Sequence, residues 1–459
     1  MADAAVQGLL RSRCLLTQHE PDCGQVNVTG EYHANIACQR RQAGFNLLLS
    51  MNQRRNVIVG GGAAGFFAAI TCAETAPDAH VTVLEKSAHF LSKVRISGGG
   101  RCNVTHACFD PHELSDFYPR GDKALLGPFS TFQPMDTVAW FESRGVKLKT
   151  ETDGRMFPIT DSSQTIVDSL MRAAADAGVE LRANCPVTHV ETNSSGQFEL
   201  ETTRGEKLQC HRLMLATGGC RAAAAGALAV SLGHTLEVPV PSLFTFQIAT
   251  PWLRELAGVS LGSVQVSVAN SRLCERGPLL ITHQGLSGPV ILRLSAWGAR
   301  PLHRVGYQFS LHINWLPDLE ESDLAEELEK MREAQPARLI INSARAPLPA
   351  RLWERLVTAS GITRDTRWAS LSNSAKHGLI QQLTRTQLPV TGKSLNQDEF
   401  VTCGGVRLSE VNFKTMESRI CRGLYFGGEL LDIDGLTGGF NFQSAWTTGW
   451  IAGRSMAQT

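Results

Sequence analysis

The stretch Asn56–Lys86, NVIVGGGAAGFFAAITCAETAPDAHVTVLEK, restricts the fold more than any other part of this 459-residue chain. Val57–Val59 is short, apolar and β-branched, the pattern of a buried strand. Gly60, Gly62 and Gly65 then fit G-x-G-x-x-G. Ala63 to Ala76 is a run of good helix formers closed by Pro77, and Val81–Leu84 is a second β-rich run that ends at Glu85, twenty residues past Gly65. Strand, glycine turn, helix, strand and acid in this order make the βαβ unit that binds a dinucleotide. Gly60 is expected to permit the tight turn, Gly62 to let the backbone approach a pyrophosphate, and Gly65 to let the helix pack closely on the strand. The helix N-terminus, at Ala63 and Ala64, offers N–H groups and positive dipole to phosphates. Glu85 is expected to accept hydrogen bonds from a ribose, next to Lys86. Glycine turns also make ordinary β–α corners, and the motif alone does not separate one dinucleotide from another. A membrane-spanning reading of the uncharged run Val57–Ala73 fails on its length and its glycines.

The length suits two or three domains with a large core. The hydrophobic fraction of 43% and the charged fraction of 19% are ordinary for a globular protein. A net charge of +1 gives no electrostatic argument for nucleic acid or an anionic membrane surface, so neither is expected as a partner. The twelve cysteines are scattered, without C-x-x-C or zinc spacing, which fits a reducing, cytoplasmic setting and no metal site. Residues 1–50 show no sustained periodicity and no secretory signal; a metal site at Cys14, Cys23 and Cys38 is poorly spaced, and acidic residues weaken a transit-peptide reading. Met51 stands directly before the first strand, so residues 1–50 are expected to be a disordered or mis-assigned leader.

Ser87 to about Pro134 reads as a long polar connection rich in Gly, Pro and Arg, of the kind that is functional or disordered. Helices are expected over Met135–Arg144 and Thr165–Ala177. Three β-rich runs follow, Val179–Asn193, Gly196–Thr203 and Lys207–Gly219, joined by turns at NSSG and RGE. Pro239 and Pro241 mark a boundary. Leu243 to about Leu316 reads mostly as short strands, and Leu319–Arg332, Pro349–Ala359 and Ser374–Leu383 as helices. A return to strand character around Val401 precedes the buried strand GLYFGG and a closing helix over Ser444–Met456. There is no internal repeat. The expected plan is an α/β dinucleotide domain over residues 51–240 and 400–459, interrupted by a β-rich and helical domain over 241–399.

Two further glycine-rich stretches bear on which nucleotide is bound. In KVRISGGGRCNVTH, Ser97, Gly98, Gly99 and Gly100 expose successive backbone N–H groups, and Lys93, Arg95 and Arg101 add positive charge. In GLYFGGELLDIDGLTGGFNFQSAW, a strand ends at Gly427, Gly428 and Glu429. Asp432 follows in reach of a ribityl-type hydroxyl, and Gly438–Gly439 leads into a helix whose start includes Asn441 and Gln443. A helix N-terminus aimed at a flavin's N1 and O2 edge stabilises the reduced anionic ring. A domain binding only NAD has no need of that second site. Read blandly, both stretches are structural turns.

From about Met51 to Thr459 the chain resembles the BaiN-like flavoproteins, also known as aminoacetone-oxidase-family FAD-binding enzymes. The resemblance rests on SGGGRCNVT, YPRG at Tyr118–Gly121, GRMFP at Gly154–Pro158, LATGG, LLITHQGLSGPVIL at Leu279–Leu292 and GLYFGGELLDIDGLTGGFNFQSAW. It implies FAD and a glutathione-reductase-type, Rossmann-like FAD domain interrupted by an inserted β-rich and helical substrate domain. Cofactor contacts are then expected also at Asn103, Val187, Thr217, Gly218, Gly439 and Phe440. One departure is visible: His106 stands where the family commonly has Asn.

A flavin would carry the redox step; because no second nucleotide domain is visible, either NAD(P)H visits the flavin as a transient reductant, or electrons come from the substrate and leave to oxygen or another acceptor. The absence of C-x-x-C argues against a disulfide reductase, and Cys102 reads more readily as a packed residue than as a redox group. Candidate catalytic groups are Tyr118 and Arg155 in family motifs, His283 as a donor near neutral pH, and Arg101 as a carboxylate or enolate partner. His283 also reads as a turn-fixing residue and Arg101 as a pyrophosphate partner. The resemblance implies reduction of an activated C=C bond beside a carbonyl in a small-molecule substrate. An aminoketone oxidase producing peroxide and a non-catalytic flavin module stay open, as does the oligomeric state.

Overall fold

The computed structural model describes residues 53–220, 223–394 and 401–458; the expected leader lies outside them. The central sheet orders its strands Val411–Asn412, Glu417–Ser418, Leu424–Phe426, Arg212–Leu215, Arg55–Val59, His80–Leu84 and Glu180–Arg182. The last five are mutually parallel, with Val57 opposite both Leu213 and Thr82 and Leu213 opposite Leu424. Parallel strands are buried on both faces, which is why Val57, Ile58, Val83 and Leu213 sit in near-continuous apolar runs.

The helix Ala63–Thr75 returns the chain from the first strand to the second, and the C-terminal helix Phe440–Gln458 crosses it closely. The crossing depends on small residues four apart. A Cβ at Gly449 would stand 2.4 Å from the Ala64 carbonyl oxygen, and one at Gly453 would stand 2.4 Å from that of Ala68. The end of the chain is therefore packed against its nucleotide-motif helix.

Two antiparallel sheets flank this body, Thr105–His106 with Arg155–Pro158 and Leu148–Thr150, and Val187–Thr192 with Phe198–Thr202 and Lys207–Cys210. A two-stranded ladder, Leu236–Ser242 with Val401–Val406, leads into a closed six-stranded barrel: Thr245–Ile248, Gly285–Ser287, Cys274–Ile281, Ser260–Val268, Phe309–Asn314 and Thr386–Ser394. Barrel strands alternate as a one-sided sheet should: Val264, Val266 and Val268 point inward, and Gln265 outward. Helices Glu321–Ala334, Ala350–Ala359 and Asn373–Arg385 bury Trp315, Trp353 and Trp368 beside the barrel. Each indole N–H has an acceptor: Thr386 Oγ1 at 2.7 Å, the Ile340 carbonyl at 2.8 Å and Ser343 Oγ at 2.9 Å. This hydrophobic cluster runs from Phe244 to Val390 and is distinct from the one around the central sheet.

Four expectations need correction. The connection after Glu85 is not structureless: it holds helices Ser92–Gly100, Pro111–Ser115 and Asp122–Phe129, too short to show periodicity. Asp110 starts the second by accepting from the His112 and Glu113 N–H groups at 2.8 and 3.0 Å. The region read as strands after Leu243 contains helices Pro289–Trp297 and Ala299–Arg304, whose apolar VIL run mimics a strand. The run from Val179 divides at Pro186 between two sheets, and the run from Lys207 divides at His211. The closing helix begins at Phe440, four residues earlier than expected.

Candidate functional site

The three glycine-rich stretches converge. At the first, Gly60 adopts φ +118°, and a Cβ there would meet the Ala216 carbonyl oxygen at 2.2 Å. A Cβ on Gly65 would lie 2.0 Å from the Gly60 carbonyl oxygen. Gly62 differs: its φ of −95° suits any residue, and nothing lies within 4 Å of an added Cβ. Gly62 is the N-cap of the helix, without a side-chain cap, and the first turn at Ala63 and Ala64 carries no acid. The helix N-terminus is thus left open for an anion. Glu85, at the end of the second strand, accepts from the Gly61 N–H at 2.8 Å and from the Ser87 N–H at 2.9 Å. Lys86 is exposed beside it.

The second stretch turns out of its helix at Ser97 (φ −64°, ψ 151°). Gly98, Gly99 and Gly100 follow at φ 58°, 67° and 84°, a left-handed run that side chains disfavour. Gly99 and Gly100 face open space, while a Cβ on Gly98 would approach the Asn103 backbone N to 3.1 Å. Asn103 joins this loop to the third stretch: its side-chain oxygen accepts from the Gly439 N–H at 2.9 Å, and its amide donates to the Thr105 carbonyl at 3.0 Å. Lys93 makes a second link, donating to Glu429 at 2.5 Å. Glu429 also accepts from the Thr402 N–H at 2.9 Å. Gly428, at φ 65°, donates its N–H to Thr448 Oγ1 at 2.9 Å and lies against Ala64. Gly218, at φ 79°, again faces open space next to Thr217, and Val187 is half-buried at the start of its strand.

Other expected site residues are placed differently. Gln443 is fully buried, accepting from Thr105 Oγ1 at 2.6 Å and Thr137 Oγ1 at 2.9 Å and donating to Thr447 Oγ1 at 3.1 Å. Asn441 closes its own loop on the Gly435 N–H and carbonyl at 2.9 and 2.8 Å. Asp432 is ion-paired with Arg300 of the 299–304 helix at 2.7 Å. Phe440 is buried in a stack with Phe117 and His106, ring centroids 4.3 and 4.7 Å away.

The proposed proton donors are not gathered at one point. Tyr118 is buried, and its hydroxyl donates to the Phe440 carbonyl at 2.6 Å, so it braces the helix entry. Burial pushes its phenol well above the usual range. Arg101 and Arg155 share Glu151 at 2.7 and 3.1 Å and lie over the Phe157 ring at 4.0 and 5.5 Å. His283 is exposed in the turn between two barrel strands. Cys102 is buried, and desolvation pushes its thiol up to about 12, which makes it a packed neutral residue. His106, the departure from the family pattern, hydrogen-bonds the Asp153 carbonyl at 3.1 Å through Nε2. Burial holds its imidazole below the usual pKa.

Sequence reasoning missed two features. Arg120 of YPRG grips Asp434, and Arg300 reaches Asp432; the DID spacing could have suggested two anchored carboxylates, but nothing local names their partners. Among the described residues no cluster of His, Cys, Asp and Glu is placed to hold a metal, and no helix is long and apolar enough to cross a membrane.

An uncapped helix N-terminus after a Gly60–Gly62–Gly65 turn, faced by two more glycine cradles, defines the class: a Rossmann-type dinucleotide-binding protein with a second site of the flavoenzyme kind. The chain belongs to the HI0933-like Rossmann family, whose pattern it matches over residues 54–455. It is an FAD-dependent oxidoreductase. The open faces at Gly62, Gly99, Gly100 and Gly218 fit that cofactor, since a backbone free of Cβ atoms is what a pyrophosphate and a ring edge require. The ribosomal RNA dihydrouridine synthase of Escherichia coli (strain K12) is 33% identical over 411 residues, which are 87% of this chain and 97% of that protein. The 3-dehydro-bile acid delta(4,6)-reductase of Clostridium scindens is 29% identical over 409 residues, 87% of this chain and 98% of that protein. The ribosomal RNA dihydrouridine synthase of Haemophilus influenzae is 29% identical over 417 residues, 88% of this chain and 98% of that protein.

Proposed function

We propose that this chain reduces a carbon–carbon double bond conjugated to a carbonyl, using FAD recharged by NAD(P)H in the cytoplasm. The reading is carried by the convergence of the three glycine cradles around one open helix N-terminus. The relatives support it, because a uracil ring and a bile-acid dienone share the C=C–C=O unit. When bound, the flavin supplies a hydride to the β-carbon. The residues of this chain do the rest. Gly62 and the helix behind it would hold the pyrophosphate. Glu85 would hold the adenosine ribose, Glu429 and Asp432 the ribityl side, and Gly99, Gly100 and the Asn103–Gly439 contact the ring edge. Arg101 and Arg155, held in an ion-pair network with Glu151, Asp153 and Asp161, would set the shape of the Phe157 wall and not a proton path.

The substrate ring narrows to two kinds, a uracil in RNA or a free enone. The likeness to the two RNA-modifying enzymes favours uracil, although the near-neutral net charge gives no added pull toward RNA. The test is to incubate the purified holoprotein with NADH or NADPH and either an unmodified ribosomal RNA transcript or a steroidal dienone. Mass spectrometry should show a gain of two hydrogens in one of them. Peroxide formed from aminoacetone, with neither substrate reduced, would refute the reading in favour of an amine oxidase.

A further inference from the structure

The net charge of +1 conceals an uneven distribution. Leu243 to Leu316 holds most of the barrel and the helices Pro289–Trp297 and Ala299–Arg304, and it carries six arginines against two glutamates. The helical cover that follows, residues 317–384, carries nine basic and ten acidic side chains. Positive charge is therefore concentrated on the barrel side of the inserted segment. Three of the six arginines are ion-paired: Arg276 with Asp318, Arg293 with Glu275 and Arg300 with Asp432. Arg254, Arg272 and Arg304 are exposed and, among the described residues, have no acidic partner.

Packing brings the last two to one place. Arg272 sits in the turn between strands Ser260–Val268 and Cys274–Ile281, which closes where the Val268 N–H donates to the Leu273 carbonyl at 3.0 Å. The Leu273 side chain enters the joint between the two helices: a Cβ on Gly298 would stand 2.9 Å from it and 2.8 Å from Leu302. Arg304 follows Leu302 by two residues, and Trp297 directly precedes Gly298. Trp297 is 39% exposed, the one exposed tryptophan of eight, whereas Trp315, Trp353, Trp368 and Trp446 are wholly buried. An indole in water beside two unpaired guanidinium groups is the combination that holds single-stranded nucleic acid, with a base stacked on the ring and phosphates on the arginines. The same joint is tied to the cofactor side. The Ala296 carbonyl, one residue before Trp297, accepts from Arg120, which holds Asp434; Arg300, three residues after it, holds Asp432. Both carboxylates belong to the loop that follows Gly428 and Glu429.

We propose that Trp297, Arg272 and Arg304 form the docking surface for a single-stranded loop of RNA, holding nucleotides that flank the base to be reduced, an assignment that rests on the uracil arm of the reductase reading above. It supplies the attraction that the net charge does not, because a chain need not be basic as a whole if its cations stand where the strand enters. A base must leave its stack to reach a flavin, and a stacking platform for its neighbour offsets part of that cost.

The test uses full-length oxidised holoprotein, so that binding is read without turnover, and a fluorescein-labelled, unmodified ribosomal RNA transcript. Anisotropy titrations at several potassium chloride concentrations give the affinity and its salt slope. Trp297→Ala should weaken binding about 5- to 100-fold with the slope unchanged, and Trp297→Phe should recover most of that loss. Arg272→Ala combined with Arg304→Ala should lower the slope of log K against log salt by about 1.4, the value for two phosphate contacts on a single strand. All three side chains are exposed, so FAD content and melting temperature should stay at their wild-type values. Wild-type affinity and slope in every variant overturns the surface, and so does a wild-type protein that does not bind the transcript. A dimer that Trp297→Ala splits in sedimentation, with RNA affinity unchanged, would make the face a contact between two copies and also overturn it. The reductase reading fails separately: a transcript that is bound through these residues, yet never reoxidises dithionite-reduced flavin without oxygen, supports the RNA surface and removes the reduction.

Discussion

Arg120 and Asp434, 314 residues apart in sequence, form an ion pair in which the carboxylate is wholly buried. Arg120 Nε donates to Asp434 Oδ1 at 2.5 Å, and Ser242 Oγ donates to the second oxygen at 2.7 Å. Arg120 also donates to the Ala296 carbonyl, at the end of the helix Pro289–Trp297. One salt bridge thus ties the YPRG turn, the loop before the C-terminal helix and the entry to the barrel. Removing one partner of such a pair leaves the other buried and uncompensated. Asp434→Ala is expected to lose about 3–5 kcal/mol in denaturant unfolding. A loss below about 1 kcal/mol would show that the arginine finds water or another acceptor.

The glycines of the nucleotide turn should separate folding from binding. A Cβ at Gly62 has nothing within 4 Å, so Gly62→Val should fold with a melting temperature close to wild type and emerge colourless. Gly65→Val would drive its Cβ into the Gly60 carbonyl and should destabilise the domain by about 1–3 kcal/mol or more. Absorbance near 450 nm and thermal unfolding on the same preparations distinguish the two. Normal flavin content in Gly62→Val contradicts the assigned cradle.

The buried His234 gives the fold a pH dependence with a definite sign. Its Nδ1 faces Glu410 at 3.1 Å and its Nε2 faces Ser418 Oγ at 2.9 Å. Ser418 Oγ already accepts from the Ile420 and Cys421 N–H groups, so its own hydrogen is free to point at Nε2, which suits a neutral ring with its proton on Nδ1. Desolvation outweighs the pull of Glu410 and holds the imidazole below its usual pKa. Between the folded and unfolded pKa values the unfolded chain binds the extra proton. This contribution is therefore complete above about pH 6.5 and is lost as pH falls through that value. His234→Gln should shrink the drop in melting temperature between pH 7.5 and pH 5.5, and an unchanged drop would place the titration elsewhere.

The first βαβ unit was legible because each of its constraints is local: a β-branched strand, three glycines and an acid at fixed offsets. The helices Glu321–Ala334, Ala350–Ala359 and Asn373–Arg385 were legible from periodicity, to within a few residues at each end. The barrel was not, because closure depends on pairings such as Phe309 with Val390 that no local pattern encodes. The same limit applies to the site. Gly62 and Glu85 announce themselves by spacing, whereas Arg120 and Arg300 gain their meaning from partners far away along the chain. Gln443 shows the converse: its position after Gly438–Gly439 suggested a cofactor contact, yet its amide is engaged by threonines from three separate elements.

If Asp432 holds the ribityl side as proposed, its ion pair with Arg300 ties FAD retention to the inserted segment. Asp432→Ala and Arg300→Ala are each expected to raise the FAD dissociation constant about tenfold, near 1.4 kcal/mol, with the double variant no worse than either single change. Fluorescence titration of apoprotein reads this directly. Unchanged affinity in Asp432→Ala would remove that carboxylate from the cofactor site.

The central claim is that bound, reduced flavin delivers its electrons to a conjugated double bond. The most direct measurement is anaerobic stopped-flow absorbance of reduced holoprotein mixed with unmodified ribosomal RNA transcript or with a steroidal dienone. Return of the oxidised flavin spectrum with one of them, in the absence of oxygen, is the predicted result. A flavin that stays reduced with both, and reoxidises only when oxygen is admitted, would contradict the account.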